Sequence, residues 1–230
     1  MSTLIGISGR LGAGKDTVGA AILYEFAMLN SPENKPMFGE IYQDLKEHMW
    51  WLTQNSGWEI KKFAGKLKEI SSMLTGIPTW KFEDQDFKKT DLPEEWDEVK
   101  FGNKFPMTVR QFLQKVGTEG MRDNVHKNIW INGLFSDFKS DSNWVVTDCR
   151  FKNEFDAIKK RNGLIIYIER GENKIGGNHS SETEMEVFKD KCDYHIDNNG
   201  SLESLREQIK HFLTIHDLLN SHSKNDVAVY

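Results

Sequence analysis

A glycine-rich turn between an apolar segment and a helical pattern constrains this sequence more than any other feature. Residues 4–8 (LIGIS) predict a strand, and the seven residues from Gly9 to Lys15 that follow it match the pattern G-x-x-x-x-G-K. Apolar residues then recur at helical spacing as far as Asn30. This order predicts the start of a βαβ unit, in which backbone N–H groups and a helix N-terminus surround a phosphate group.

Three more apolar segments predict strands at residues 144–148, 163–168 and 194–197. Helical patterns follow the first and the last of them, at residues 153–160 and 202–213. Apolar strands that alternate with helices are typical of a parallel sheet with both faces covered. Together with the glycine loop, they predict an α/β fold of three layers, the P-loop NTPase fold, with a parallel β-sheet flanked by helices.

The segment at about residues 34–143 is less regular than the rest of the chain. It contains six of the seven tryptophans and helical patterns at residues 40–52, 66–74 and 108–121. We interpret it as a helical substrate-binding or lid insertion within a single domain of residues 1–215. The polar C-terminal tail, residues 216–230, is expected to be flexible.

Composition excludes several classes of protein. The chain has 38% hydrophobic and 28% charged residues, and no apolar run approaches the roughly 18 residues of a membrane span. The N-terminus lacks the pattern of a secretory signal, so a cytoplasmic location is expected. A formal net charge of −5 offers no general attraction for nucleic acid or an anionic membrane. Cys149 and Cys192 lack metal-site spacing and are interpreted as packing residues.

The end of the glycine loop carries the chemistry of a nucleotide site. Lys15 is expected to neutralise the β- and γ-phosphate oxygens. A Ser or Thr that binds magnesium usually follows this lysine, but here Asp16 follows it and Thr17 comes one place later. Asp16 could hold a magnesium-bound water, cap the helix or contact a substrate, and the sequence leaves these roles open.

A carboxylate and a guanidinium stand at the end of the strand predicted at residues 144–148. Asp148 would lie at its carboxyl end, where open α/β sheets bind ligands, and could hold magnesium through water or orient an attacking group. Arg150 could bind a phosphoryl group with its planar guanidinium. The alternative is structural: Asp148 caps the helix that begins at Asn153, and Arg150 pairs with Glu154.

A segment that begins at Thr108 predicts a helix with polar side chains outside its apolar stripe. Arg110 and Arg122 suit a phosphate, Gln114 suits a base edge or ribose, and Trp130 could stack on a base. The alternative is a solvated charged face with a core tryptophan.

His179 stands close to a helix-capping pattern. Ser181 and Glu184 have the spacing of a capping box, and His179 lacks a metal-ligand partner at useful spacing. We therefore favour a structural role for this segment.

These residues together resemble the phage-type deoxynucleoside monophosphate kinases, P-loop enzymes of the nucleoside monophosphate kinase superfamily. The resemblance spans most of residues 4–213, and the Lys-Asp-Thr sequence at residues 15–17 is shared with that family. The motifs that carry it are Gly-Lys-Asp-Thr at 14–17, Phe63-Ala64 with Leu67-Lys68, residues 109–122 with Gln114 and Gly117-Thr118, Trp130, Asp148 with Arg150 and Glu154, residues 179–182, and residues 199–202.

The resemblance implies ATP and Mg²⁺ as cofactors and a deoxynucleoside monophosphate as the acceptor. The residues implied to bind ATP are Gly9, Arg10, Gly12, Ala13, Gly14, Lys15, Asp16, Thr17, Asn198 and Gly200. The residues implied to bind the acceptor are Lys66, Arg110, Gln114, Thr118, Arg122, Trp130 and Glu154. Those implied to act on the transferring group are Lys15, Arg122, Asp148 and Arg150, and those implied near magnesium are Asp16, Thr17 and Asp148.

The expected reaction is ATP-dependent phosphorylation of a deoxynucleoside monophosphate to its diphosphate. Two alternatives stay open: another small-molecule P-loop kinase, such as a relative of dephospho-coenzyme A kinase, and an ATP-binding protein without catalysis. A small-molecule nucleotide is the expected partner, with no nucleic acid and no membrane, and the family tends toward homodimers. For a phage-encoded chain the expected location is the host cytoplasm.

Overall fold

The computed structural model describes residues 2–31, 38–100, 102–171 and 188–219. These residues form two compact units: one is Phe63–Phe138, and the other combines the described parts of Met1–Lys62 and Lys139–Tyr230. The unit of Phe63–Phe138 is shorter than the insertion predicted at residues 34–143, because residues 38–62 and 139–143 belong to the other unit. The predicted capping pattern with His179 lies outside the described residues.

The strands of the described chain are β1 (Thr3–Gly9), β2 (Glu59–Lys61), β3 (Glu98–Lys100), β4 (Asn103–Phe105), β5 (Asn143–Cys149), β6 (Leu164–Glu169) and β7 (Tyr194–Asp197). The α-helices are α1 (Lys15–Asn30), α2 (Phe38–Gln43), α3 (Leu45–Ser56), α4 (Gly65–Thr75), α5 (Val109–Gln114), α6 (Ile129–Phe135), α7 (Lys152–Lys159) and α8 (Leu202–Ile215). A π-helical segment, Lys115–Arg122, directly continues α5.

A five-stranded parallel sheet forms the centre of the first unit, with the strand order β2-β5-β1-β6-β7. Because β1 is the middle strand, the loop after Gly9 opens at the centre of the sheet's carboxyl edge. Ile5 and Ile7 lie in a core shared with α1, while a side chain at Gly6 would meet Ile158 of α7. Helices therefore cover both faces, and the predicted α/β fold with a parallel sheet between helices is confirmed.

The structure differs from the sequence prediction in three elements of this unit. β2 is not predicted from the sequence, because its three residues are too few and too polar for a strand pattern. The helix predicted at residues 40–52 is two helices, because Asp44 caps α3 by accepting a hydrogen bond from the backbone N–H of Glu47 at 3.1 Å. The tail predicted from residue 216 packs at its start, where Leu218 and Leu219 contact the sheet's core.

The unit of Phe63–Phe138 has a small core of its own. Phe82, Leu92, Val109 and Phe112 are buried together in it. Thr108 caps α5, because its Oγ1 accepts a hydrogen bond from the backbone N–H of the residue three places later at 3.2 Å. The helix predicted at residues 108–121 is therefore present at its start, but it changes to π-helix halfway along.

Both cysteines are free. Burial raises the pKa of Cys149, at the end of β5, well above its ordinary value, and burial raises the pKa of Cys192 to about 12. Both thiols therefore stay protonated, in keeping with the packing role that the sequence predicts. Within the described residues, none of the helices has the length and apolar character needed to cross a membrane.

Candidate active site

The turn after β1 depends on glycine. The backbone has φ of 80° at Gly12 and 98° at Gly14, in the left-handed region that residues with a Cβ rarely adopt. At Gly14 a side chain is excluded a second time, because its Cβ would lie 2.5 Å from Nδ2 of Asn198. The turn leads directly into α1, so backbone N–H groups of the turn and of the first turn of the helix are available to an anion.

Lys15 folds back onto this turn. Its Nζ donates hydrogen bonds to the carbonyl oxygen of Gly9 at 2.6 Å and to that of Arg10 at 2.8 Å. The ammonium group therefore lies beside the turn and close to the N-terminus of α1. Ammonium and amide donors on one short segment form the donor set that phosphate oxygens require.

The segment after β7 contacts the glycine turn. Nδ2 of Asn198 donates a hydrogen bond to the carbonyl oxygen of Ala13 at 2.8 Å. Gly200 lies beside the first turn of α8, where a Cβ would come within 3.1 Å of Oγ of Ser204. Asn198 and Gly200 are the two residues of this segment predicted to bind ATP. Asn198 contacts the glycine turn, whereas Gly200 lies next to α8.

Asp16, in the first turn of α1, is held by two side chains that the sequence analysis missed. Thr147 of β5 donates a hydrogen bond from Oγ1 to Oδ1 of Asp16 at 2.6 Å. Lys62 follows β2 directly and places its Nζ 3.2 Å from Oδ1 and 3.3 Å from Oδ2 of the same carboxylate. These three residues, the Asp16 cluster, join α1, β2 and β5 at the carboxyl edge of the sheet.

The surroundings of Asp16 keep its carboxyl group ionised. Partial desolvation raises the pKa of Asp16, but Lys62, the hydrogen bond from Thr147 and the charge of Lys15 together outweigh it. The pKa of Asp16 therefore lies below its ordinary value. Because 62% of the side chain is exposed, the ionised carboxylate remains accessible to a ligand.

The donors at this edge of the sheet suit Mg²⁺. This ion binds one or two carboxylates and takes its other ligands from water and substrate phosphates. Asp16 and Asp148 supply two carboxylates, and Thr17 supplies a hydroxyl group. Among the described residues no three or more His, Cys, Asp or Glu side chains cluster as ligands of one metal ion. The residues present therefore fit an ion held mainly by phosphate oxygens and water.

Glu154 caps the helix that follows β5. Its buried carboxylate accepts hydrogen bonds at Oε2 from the backbone N–H groups of Arg150, at 2.9 Å, and Phe151, at 3.1 Å. Glu154 therefore helps to cap this helix and pairs with the backbone of Arg150, while the capping role considered for Asp148 stays a prediction. Asp148 and Arg150 both lie half-buried where β5 ends. The assignment of Glu154 to the acceptor stays a prediction.

The other predicted acceptor residues lie in the unit of Phe63–Phe138. Lys66 forms an ion pair with Asp137, with Nζ 3.2 Å from Oδ2. Arg110 donates from Nη2 to Oε1 of Gln85 at 3.3 Å. Lys66 is half-buried and Arg110 is exposed, and both side chains already have polar partners.

Trp130 is half-buried and forms one well-defined polar contact. Its Nε1 donates a hydrogen bond to the carbonyl oxygen of Gly117, within the π-helical segment, at 2.8 Å. Gln114 and Thr118 are exposed and Arg122 is half-buried on the same continuous helix. The structure therefore brings Trp130 to the helix that carries the predicted acceptor residues.

Thr147 and Lys62 are not predicted as site residues, and only Thr147 has a sequence signal that indicates its position. Thr147 stands two places after Val145 in β5, and the alternation of side chains along a strand places these two on the same face. That alternation indicates a residue directed to α1, and a side chain at Gly19 of α1 would indeed meet Cγ2 of Thr147 at 2.7 Å. Lys62 offers no comparable signal, because it follows a strand without a strand pattern.

Comparison with known proteins identifies several similar chains. The sequence model of the family described as deoxynucleotide monophosphate kinase matches residues 46–209. A protein of Acanthamoeba polyphaga mimivirus, provisionally named as a deoxynucleotide monophosphate kinase, is 30% identical over 173 residues, which cover 69% of this chain and 84% of the relative. The deoxynucleoside-5'-monophosphate kinase of Escherichia phage T5 is 27% identical over 219 residues, which cover 80% and 85% of the two chains.

A solved structure also aligns with this chain. It is the shikimate kinase of Acinetobacter baumannii in complex with shikimate, with a TM-score of 0.44 and 12% identity, over 94% of this chain and 93% of that one.

The family match begins at residue 46, beyond the glycine turn and α1. The geometry of the turn is therefore independent support for a nucleotide site.

Proposed function

This chain belongs to the deoxynucleotide monophosphate kinase family, and on that premise we propose that it transfers the γ-phosphoryl group of ATP to a deoxynucleoside monophosphate. The products are a deoxynucleoside diphosphate and ADP. The single observation that carries the proposal is the glycine turn with Lys15 folded onto the carbonyl oxygens of Gly9 and Arg10, because this turn offers a triphosphate its amide and ammonium donors.

The reaction forms one bond and breaks one. An oxygen of the acceptor's phosphate attacks the γ-phosphorus in line, and the bond from the γ-phosphorus to the oxygen bridging to the β-phosphate breaks. The acceptor's phosphate is largely ionised at neutral pH, since the second pKa of a phosphate monoester is about 6. No general base is therefore required, and positioning and charge neutralisation supply the catalysis.

Four charged side chains act on the transferring group in this proposal. Lys15 neutralises the β- and γ-phosphate oxygens, while Arg150 and Arg122 offset the charge that develops on the equatorial oxygens. Asp148 orients the ligands at the end of β5. Lys62 adds a second ammonium group close to the turn, and its ion pair with Asp16 holds it there.

Mg²⁺ would be held by Asp16, Thr17 and Asp148 together with phosphate oxygens, and it would supply positive charge that offsets the charge of the triphosphate. Asp16 suits this role because its carboxylate is both ionised and accessible. The hydrogen bond from Thr147 restricts Oδ1 of Asp16, which directs the carboxylate in the absence of the usual serine or threonine after Lys15.

The acceptor nucleotide lies on the unit of Phe63–Phe138 in this proposal. Lys66 and Arg110 bind its phosphate after exchange of their present polar partners. Gln114 and Thr118 contact its base or sugar, because their amide and hydroxyl groups both donate and accept hydrogen bonds. The adenosine part of ATP lies near Asn198, which contacts the glycine turn.

We also propose the setting in which this reaction takes place. The chain acts in the cytoplasm on free nucleotides, and in a host cytoplasm if, like the T5 relative, it is encoded by a phage. It acts as a homodimer, independent of nucleic acid and membranes. Light scattering at micromolar concentration tests the dimer, because a monomeric mass would contradict it.

One experiment tests the proposed function. Purified protein with ATP and Mg²⁺ is given each common deoxynucleoside and ribonucleoside monophosphate in turn, and also dephospho-coenzyme A, while ADP release is measured. Release with one or more deoxynucleoside monophosphates is the expected result. Release with dephospho-coenzyme A and with no nucleotide, or ATP binding without any release, would overturn the proposal.

A further inference from the structure

Four predicted acceptor residues follow one another at intervals of four along α5 and the π-helical segment. They are Arg110, Gln114, Thr118 and Arg122. In an α-helix four residues exceed a full turn by about 40°, so three such steps move the last side chain about 120° round the helix. An uninterrupted α-helix would therefore spread these four residues over about a third of its circumference.

The π-helical segment rotates successive side chains of this series in the opposite direction round the helix. Its i→i+5 hydrogen bonds make each turn longer than four residues, so a step of four falls short of a full turn. The step from Arg110 to Gln114 is α-helical, but the steps to Thr118 and to Arg122 run through Lys115–Arg122. The forward drift of the first step is therefore cancelled by the next two, and the four side chains lie along one narrow stripe.

Burial along the segment agrees with this geometry. Arg110, Gln114 and Thr118 are exposed and Arg122 is half-buried, whereas Phe112 is buried on the opposite side of the helix. In an uninterrupted α-helix, the side chain eleven residues after Arg110 would lie only about 20° from it. That side chain is Met121, an apolar residue, and the π-helix removes it from the stripe.

Two contacts hold the π-helical segment in place. Gly117 packs so closely on α4 that a Cβ there would lie 2.7 Å from Cδ2 of Leu67. Trp130, at the start of α6, donates its indole N–H to the carbonyl oxygen of the same glycine at 2.8 Å. α4 and α6 therefore both contact the π-helix at Gly117, one residue before Thr118.

We propose that Gly117 and Trp130 are positioning residues that hold the π-helix and thereby align the acceptor-binding stripe. The proposal rests on the proposed function in that the stripe binds the acceptor nucleotide. It assigns Trp130 a role through its N–H group, not through stacking of its ring on a base. A phenylalanine at this position retains a ring for stacking but cannot donate the hydrogen bond, so the two roles can be separated.

The first experiment compares Trp130→Phe with the matched control Trp80→Phe, at a tryptophan that is 66% exposed in the same unit. Steady-state kinetics give the KM for the acceptor and for ATP, and hydrogen–deuterium exchange reports on residues 115–122. Trp130→Phe is expected to raise the acceptor KM about fivefold, the effect of one hydrogen bond, and to speed exchange in this segment. The KM for ATP and the kinetics of Trp80→Phe should stay unchanged.

The second experiment uses Gly117→Ala and its rescue. The added methyl group collides with the end of a flexible side chain, so Leu67→Ala in the same chain should provide the missing space. Gly117→Ala is expected to raise the acceptor KM and speed exchange at residues 115–122, and the double variant should recover most of both losses. Gly39→Ala is the control, since Gly39 lies in α2 with open space where its Cβ would stand.

The outcomes separate this inference from the proposed function. If the wild-type protein phosphorylates no nucleotide, the proposed function is wrong. The assay of the wild-type protein alone gives this result, without any variant. If the wild type is active but Trp130→Phe leaves exchange or the acceptor KM unchanged, the positioning role is wrong. Equal increases in the two KM values, or a double variant no better than Gly117→Ala, would also overturn it.

Discussion

The side-chain amide of Asn198 occupies the space into which a side chain at position 14 would project. Nδ2 of Asn198 donates a hydrogen bond to the carbonyl oxygen of Ala13 at 2.8 Å, and a Cβ on Gly14 would lie 2.5 Å from the same nitrogen. The segment after β7 and the glycine turn are therefore fitted to each other. In the proposed function this contact links the site of the adenosine moiety to the site of the triphosphate.

Gly14→Ala should weaken ATP binding without unfolding the protein. The substitution forces a Cβ into the left-handed region, which costs about 1–2 kcal/mol, and it pushes against Asn198. We expect the KM for ATP to rise at least about tenfold, since both effects deform the turn. Gly76→Ala is the control, because Gly76 has φ of 70° with open space around it at the end of α4. Similar ATP kinetics in the two variants would contradict the account of the turn.

Lys15→Met should reduce turnover by about 10²–10³-fold, the usual effect of removing one group that stabilises charge in the transition state. The loss follows from the position of Nζ on the turn, 2.6 Å from the carbonyl oxygen of Gly9. Lys61→Met is a suitable control, because Lys61 pairs with Glu59 on β2. ADP release by the two variants, at saturating acceptor, is the measurement. Near-normal turnover in Lys15→Met would refute the site assignment.

Thr147→Val should lower kcat/KM for ATP more than it lowers the stability of the fold. The change keeps the shape of a buried side chain but removes the 2.6 Å hydrogen bond to Asp16, which then loses its fixed orientation. We expect kcat/KM for ATP to fall about tenfold, as for loss of a hydrogen bond to a charged group. Thr53→Val removes a comparable hydroxyl group, which donates to the carbonyl oxygen of Met49 in α3, and should leave kinetics unchanged. If both variants lose activity equally, the Asp16 cluster has no special role.

Glu98→Gln should destabilise the unit of Phe63–Phe138 in a pH-dependent way. Hydrogen bonds from Lys100 and then Lys115 lower the pKa of Glu98 from 4.5 to about 2. A carboxyl group whose pKa is depressed on folding stabilises the protein above its unfolded pKa, and this contribution disappears as pH falls toward the folded pKa. The melting temperature of the variant should therefore be lower than that of the wild type at pH 7, with a difference that shrinks between pH 5 and pH 3.

The control for this prediction is Glu95→Gln, at an exposed carboxylate in the same segment. High salt should also reduce the difference at Glu98, since the ion pairs with Lys100 and Lys115 are accessible to solvent. A difference in melting temperature that stays constant from pH 7 to pH 3 would show that charge is not its cause.

Several elements could be read from local pattern alone. β1, β5 and β6 are largely apolar segments and β7 is a shorter, mixed one, and the bounds of all four agree with the predicted strands to within one or two residues. The glycine turn and α1 follow β1 as the motif predicts. In each case neighbouring residues favour the same local structure, so no distant contact is needed to choose it.

Other features required the folded chain. β2 forms because Ile60 pairs with Val145 of β5 at the edge of the sheet. The three residues of β2 do not by themselves show the pattern of a strand. The π-helix depends on packing of Gly117 against Leu67 and on Trp130, both on other helices. The pattern of apolar residues alone is equally compatible with α-helix there, which is why a single helix is predicted.

The sequence by itself therefore determined the phosphate-binding turn, the alternation of strands and helices, and the family to which they point, because each is written in residues close together along the chain. Only the tertiary structure decided which side chains complete that site. Thr147 reaches Asp16 across 131 residues, and Lys62 reaches it from a strand without a pattern. Such contacts arise from the packing of α1, β2 and β5, which no local pattern specifies.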